Sequence, residues 1–315
     1  KLYLLLGMSI KSFLSLPFAK YIVSKNNKWK NNAIRVQNEL MLSLVTSAQN
    51  TLFGKNHDFS KISNYSDFKR YIPVRDYEGM RGYVQQIIDG EDSVLWPGKP
   101  LYFCKTSGTT SGAKYIPISK ESMGNHITAS RDAILSYIAE TKNISIVNGK
   151  MIFLQGSPEL SKTGGVLTGR LSGIVAHHIP AYLTKNRLPS FKTNCIDDWE
   201  EKIDAIVEET LPETMTLISG IPSWVQMYFK KLQSKTGKLI KDVFPKFNLF
   251  IYGGVNYEPY RKTFEKLIGK KIDGVELYPA SEGFIAYQDS QKDEGMLLCV
   301  NHGIFYEFIP TAEFF

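Results

Sequence analysis

Cysteine is scarce: Cys104, Cys195 and Cys299 stand far apart, in or beside apolar stretches, and form no Cys-x-x-Cys pair. That spacing argues against a disulfide framework and against a thiolate metal site, and predicts reduced core thiols in a cytoplasmic protein. Long apolar runs are missing too. The nearest, Leu2-Tyr3-Leu4-Leu5-Leu6, falls far short of the roughly 20 residues a membrane-crossing helix needs, and no small-x-small cleavage site follows it. It continues as a lysine-studded pattern with Ile10, Phe13, Leu14, Phe18 and Ile22, which predicts a surface helix packing on the body by those residues; peripheral membrane contact is the second reading, and stable insertion is not expected. Arginine-rich tracts, zinc-ligand spacing and RNA-binding signatures are absent, so nucleic acid is not an expected partner although the net charge is +7. An anionic small molecule accounts for that charge equally well. There is no internal repeat, low-complexity tract or obvious linker.

What remains is the composition of an ordinary globular protein, 43% hydrophobic and 22% charged over 315 residues, enough for a sizeable core. Apolar residues at Ile34, Leu40, Met41, Leu44, Val45, Ala48 and Leu52 predict a core-facing helix that Gly54 would end. Further helices are expected at 77–88, from Ser119 to about 140, at 197–209, 223–232 and 258–268. Short apolar strands are expected at 101–104, 115–118, 151–154, 215–218, 248–252 and 275–278, with a Gly-rich irregular connection at 162–173. Helices alternating with strands argue an α/β architecture with a largely parallel sheet. Ligands of such sheets sit beyond the carboxyl ends of the strands, where Gly253-Gly254 and Ala280-Ser281-Glu282 fall.

The most informative stretch is Thr106-Ser107-Gly108-Thr109-Thr110-Ser111-Gly112-Ala113-Lys114, with five hydroxyls, two glycines and a terminal cation. Hydroxyls, close-approaching backbone N–H groups and one lysine are what phosphate oxygens require. Its flanks read as strands, so it is the loop of a hairpin. Three residues rather than four separate Gly108 from Gly112, and Tyr115 follows the lysine, so it is no Walker A loop. By composition alone, a solvated Ser/Thr/Gly turn is preferred over a phosphate cradle.

Order adds what composition does not. Ser-Gly-Thr-Thr followed by Lys114, then the glycine pair after a strand, then Tyr278-Pro279-Ala280-Ser281-Glu282, resembles the acyl-adenylate-forming superfamily of luciferases, acyl-CoA synthetases and adenylation domains. More narrowly, Asn50-Thr51-Leu52-Phe53-Gly54, Val94-Leu95-Trp96-Pro97, Lys114-Tyr115-Ile116-Pro117 and Phe305-Tyr306-Glu307-Phe308-Ile309-Pro310 make the chain similar to the plant auxin-responsive acyl-acid–amido synthetases and their bacterial relatives.

The resemblance implies the adenylate-forming N-terminal domain, a mainly parallel sheet flanked by helices, with residues 1–100 a helical part and 101–315 the nucleotide-binding part. It implies ATP-dependent adenylation of a carboxylic acid followed by transfer to an amino acid, with Mg²⁺. The alternatives are a coenzyme A thioester former and a nucleotide-binding module without turnover. Carried over residue by residue, Thr106, Ser107, Gly108, Thr109, Thr110, Gly112 and Lys114 would hold phosphates. Gly253, Gly254, Tyr278 and Ala280 would hold the adenine, Ser281 would approach the α-phosphate or the acyl carboxylate, and Glu282 would ligate the metal. Ser281, Glu282 and Lys114 are thus the catalytic candidates, and Ile221 and Trp224 the acyl-pocket candidates, although core packing is the preferred reading for each of those two. The loop is one residue shorter than the plant form and lacks its Glu-Arg before the lysine. The family's Tyr-Arg-x-Gly-Asp segment and mobile C-terminal domain are not in these residues, so an incomplete large domain is expected. His177-His178 are expected on a strand, pointing apart, in a pocket wall or at the surface.

Overall fold

The computed structural model describes residues 10–107, 112–179 and 184–314. A seven-stranded sheet has the order β11-β10-β9-β8-β7-β3-β6, built from β3 (Lys150–Leu154), β6 (Arg187–Leu188), β7 (Met215–Gly220), β8 (Leu249–Gly253), β9 (Asp273–Ala280), β10 (Gly283–Tyr287) and β11 (Leu297–Leu298). The run β6-β3-β7-β8-β9 is parallel, and β10 and β11 close it antiparallel. A four-stranded sheet of order β2-β1-β5-β4 carries β1 (Tyr102–Ser107), β2 (Ala113–Ile118), β4 (Ser161–Thr163) and β5 (Val166–Gly169).

The parallel strands are apolar on both sides because both faces are covered. Ile152, Ile218 and Phe250 face α8 (Trp199–Thr210), α9 (Pro222–Thr236) and α10 (Glu258–Ile268) through Ile206, Phe229 and Phe264. Leu217, Leu249, Ile251 and Val275, alternating with them, face α6 (Lys120–Thr141) through Ala129, Ala133 and Tyr137. Behind α6 packs α1 (Ile10–Lys30), tied by Asn26 Nδ2 donating to the buried Asp132 carboxylate at 2.9 Å.

The remaining helices named here are α2 (Ala33–Ala48), α3 (Leu52–Asn56), α4 (Tyr65–Tyr71), α5 (Tyr77–Ile88) and α7 (Leu171–Ala176). Side-chain caps start three of them: Thr51 accepts from Gly54 N–H, Asn64 from Asp67 N–H and Asp76 from Gly79 N–H, whereas Asn32 before α2 makes no such bond.

Several expectations are corrected. On α1, Phe13, Leu14 and Phe18 are exposed, whereas Ala19, Ile22 and Trp29 are buried. The helix is apolar on two sides, and the smaller Ala19 lets it approach α6 closely. The side chain of Ile10 and the Leu2–Leu6 run lie outside the described residues. Ile34 is 82% exposed, and the helix that carries it ends at Ala48. Gly54 does not stop that helix but sits within α3, where a Cβ would stand 2.2 Å from the Ala48 carbonyl oxygen. The stretch 162–173 is not irregular: β4 and β5 form a hairpin around Gly164-Gly165, both with positive φ, and α7 begins at Leu171. Its sequence misleads because the strands are only a few residues long. Cys104 and Cys299 are buried free thiols as expected, while Cys195 is partly exposed.

Candidate functional site

The hydroxyl-rich stretch is the tip of the antiparallel β1–β2 hairpin, with Thr106 opposite Lys114 and Ser107 opposite Ala113. Gly108, Thr109 and Thr110 lie outside the described residues, as does the side chain of Ser107. Gly112 has φ +84°, a left-handed conformation that suits glycine where the chain re-enters β2. Lys114 Nζ lies 5.2 Å from the centre of the Tyr77 ring and forms no ion pair among the described residues. Tyr77, the first residue of α5, also accepts the Tyr115 N–H on its hydroxyl at 2.9 Å. One aromatic residue therefore anchors the hairpin's backbone and flanks its cation.

Ser281 and Glu282 form the two-residue turn between β9 and β10, where Ala280 pairs with Gly283. Two strand positions before Thr106 on β1, the Cys104 thiol lies 3.1 Å from Ser281 Oγ. Burial pushes the Cys104 thiol up from its ordinary value, so the S–H persists and donates to Ser281 Oγ. With an acceptor site of Ser281 thus engaged, its own O–H proton is free to point elsewhere. Cys104 and Thr106 share a strand face, so this contact sets the Ser-Glu turn beside the face from which Thr106 and Lys114 project. Glu282 is partly exposed, and after burial its negative charge adds to the upward push on the Cys104 thiol.

At the carboxyl ends of β7, β8 and β9, Gly253 pairs with Leu277 so tightly that a Cβ would fall 2.1 Å from the Leu277 carbonyl oxygen. Gly254 follows with φ +82°; a Cβ there would meet only Ile221 Cγ1, at 3.9 Å. Tyr278, next along β9, is 50% exposed and stacks on no other ring among the described residues.

Two cavities adjoin the hairpin. One of about 800 Å³ is lined by Lys105, Thr106, Gly112, Arg170, Lys202, Trp199 and Trp224, with Glu159 and Asp197. The two indoles are 4.9 Å apart and the Trp199 Nε1 donor is buried without a partner among the described residues. The other, of about 600 Å³, is lined by Tyr77, Trp96, Tyr115, Glu282, Gly283 and His302 among others. The structure thus brings Thr106, Gly112 and Trp224 together in one cavity and puts Glu282 in the other. Ile221 lies against Gly254, and Gly253, Gly254, Tyr278, Ala280 and Ser281 line neither cavity but hold the sheet's carboxyl edge.

His177 and His178 follow α7 in a turn rather than lying on a strand, which corrects the sequence reading. His177 Nε2 is 2.7 Å from the Pro158 carbonyl oxygen and His178 Nε2 is 3.0 Å from the Tyr102 hydroxyl. His177 is exposed and His178 partly exposed, and both hold neighbouring loops and strands in place. Among the described residues no group of three or more His, Cys, Asp or Glu is placed to hold a metal ion. Sequence reasoning missed the roles of Tyr77, the Cys104–Ser281 contact and the cations Lys105, Arg170 and Lys202, since each depends on partners distant along the chain.

A family model described as the GH3 family N-terminal domain matches residues 23–197, more than half of the chain. The chain belongs to the GH3 family. Among curated proteins it is similar to jasmonoyl–L-amino acid synthetase JAR4 of Nicotiana attenuata, 26% identical over 141 residues that cover 44% of this chain and 24% of the relative. The matched stretch is therefore about a quarter of that relative's length. Among solved structures, the chain resembles AtGH3.15 acyl acid amido synthetase in complex with 2,4-DB, with TM-score 0.74, 17% identity, and coverage of 90% of this chain and 60% of that one. It also resembles 2-hydroxyisobutyryl-CoA ligase in complex with 2-HIB-AMP and CoA, with TM-score 0.58, 12% identity, and coverage of 90% and 57%. At such identities the likeness establishes the fold: this GH3 chain has the mixed α/β architecture of adenylate-forming enzymes, over part of their length.

Proposed function

We propose that this chain supplies the nucleotide and acyl-acid site of an ATP-dependent ligase that activates a carboxylic acid as its adenylate and transfers the acyl group to an amino acid. The observation that carries the reading is the Cys104–Ser281 contact, which joins the hydroxyl-rich hairpin to the Tyr-Pro-Ala-Ser-Glu turn. Each motif alone is a turn, but the contact brings the Thr106–Lys114 end of the hairpin next to the Ser281-Glu282 turn that follows β9.

The protein's own work in such a reaction is positioning and charge neutralisation. In this reading Lys114 and the Thr106–Gly112 tip hold the β/γ-phosphates, with the Tyr77 ring limiting where the ammonium can go. Gly253 and Gly254 leave the backbone bare of side chains, and the half-exposed Tyr278 ring is free to stack on adenine. Ser281, with one acceptor site taken by the thiol, donates its proton to the α-phosphate or the acyl carboxylate. The cavity with Trp199 and Trp224 takes the acyl body. Glu282 fits Mg²⁺ as one exposed carboxylate without an ion-pair partner among the described residues, phosphate oxygens supplying the other ligands. When bound, the ion would neutralise phosphate charge.

The amino-acid acceptor is suggested by the names of the curated relatives, and a CoA acceptor by the ligase with the same fold. Acid-dependent exchange of labelled pyrophosphate into ATP by the full-length protein tests activation, and product mass spectrometry with amino acids and coenzyme A tests the acceptor. No exchange across a broad acid panel would refute the proposal, and exclusive thioester formation would replace the amido-synthetase reading. Glu282→Gln is expected to slow exchange, with partial recovery in excess Mg²⁺.

A further inference from the structure

Helix α1 has an unusual surface. Over its 21 residues it carries five lysines and no Asp or Glu. Ala19, Ile22, Asn26 and Trp29 are buried against the body. On the opposite side Phe13, Leu14, Phe18 and Tyr21 are 58%, 57%, 46% and 64% exposed. Their helical spacing sets these four in one stripe along the N-terminal half of the helix. Lys25 and Lys28, both exposed, continue the same face toward the C-terminal end, and Lys20 flanks it. Lys25 and Lys28 have no carboxylate partner among the described residues; nearby, Arg35 is paired with Glu39 and Arg131 with Asp132.

A helix apolar on both sides needs two partners, and the domain body supplies one. We propose that the Phe13–Tyr21 stripe and the lysines beyond it dock the protein in the interfacial plane of an anionic lipid bilayer. Charge decides the occupant. Large apolar side chains followed on one face by lysines, with no acidic residue on the helix, suit a surface that offers hydrocarbon under a layer of negative headgroups. A second copy of the chain fits less well. With about half of each side chain exposed, the stripe presents on the order of 400 Å², roughly half of what each partner buries in a stable interface. It would also set lysine-bearing faces together. The helix is not a membrane span: no helix among the described residues is long and apolar enough to cross one. This inference does not rest on the ligase reading.

The test is flotation of the full-length protein with vesicles of phosphatidylcholine alone or with about a third phosphatidylglycerol, at low and high salt. Binding to the anionic vesicles, weakened by salt, is expected. Leu14→Ser with Phe18→Ser should lower that affinity at least about tenfold while leaving the melting curve unchanged, because both side chains are already in water in the free protein. Lys25→Glu with Lys28→Glu should abolish the preference for anionic over neutral vesicles. The proposal is overturned if anionic vesicles are not bound at low salt, or if the Leu14/Phe18 variant binds as wild type does. It is also overturned if sedimentation shows self-association that the same variant abolishes, which would assign the stripe to a second copy.

Discussion

Alanine at Gly253 and at Gly254 gives a sharp contrast, because the two glycines are required for different reasons. At Gly253 an added Cβ would sit 2.1 Å from the backbone oxygen of Leu277, its partner across the β8–β9 ladder. Ordinary contact needs over 1 Å more, and no flexible side chain can yield, so the strands must separate at this end. Overpacking of this kind costs about 1–3 kcal/mol, and a lost ladder hydrogen bond adds about 1 kcal/mol, for a total of about 2–4 kcal/mol. At Gly254 there is open space, and only the left-handed backbone at φ +82° opposes a Cβ, a cost of roughly 1–2 kcal/mol. Gly254→Asn should cost less still, since Asn tolerates that conformation. Urea unfolding of the three variants, followed by intrinsic fluorescence, measures the order directly. Stability of Gly253→Ala within about 0.5 kcal/mol of wild type, or a greater loss in Gly254→Ala, would refute the close approach of β8 to β9. The experiment also guards the nucleotide assignment: a loss of ATP binding in Gly253→Ala reflects a splayed strand edge, whereas a loss in the better-folded Gly254→Asn bears on the ligand.

Lys114→Ala is expected to weaken ATP binding by about 1–3 kcal/mol in a calorimetric titration and to leave stability within about 0.5 kcal/mol, because the lysine has no ion-pair partner among the described residues. Tyr77→Phe removes the hydroxyl that accepts the Tyr115 N–H; it should lower stability by about 1–2 kcal/mol and raise amide exchange at the base of the hairpin, and protection equal to wild type at Tyr115 would contradict the contact. His126 is 2% exposed, and burial pushes its pKa down to about 4. The unfolded chain then takes up a proton near the usual pKa of about 6.5 that the native state refuses, so stability is full above that pH and falls as the pH drops toward 4. The loss should approach about 3 kcal/mol, and urea midpoints of His126→Gln should show a flatter profile over the same window. A profile identical to wild type would remove His126 as the source.

Along the chain, the sequence by itself determined what is local. The α/β alternation, the hairpin around the hydroxyl-rich tip and the strand-to-turn placement of Gly253 and Ser281 all follow from period and turn chemistry, which act over a few residues. The resemblance carried by ordered motifs points to the acyl-acid–amido synthetases, in agreement with the family model that places the chain in the GH3 family. Only the tertiary structure decided what depends on a partner distant in sequence. Cys104 and Ser281 are 177 positions apart, and nothing in either segment marks a thiol as the group that holds the Ser-Glu turn against the hairpin. The short strands at 161–169 have too few residues to show a period and exist because β1 accepts β5 as its neighbour. On α1 both sides are apolar enough to pack, and the choice went to the side with Ala19 and Ile22, which fits against α6, leaving Phe13, Leu14 and Phe18 in solvent. Hydrophobicity states how much a side chain gains by burial, but only the shape of the neighbouring surface decides which side is buried.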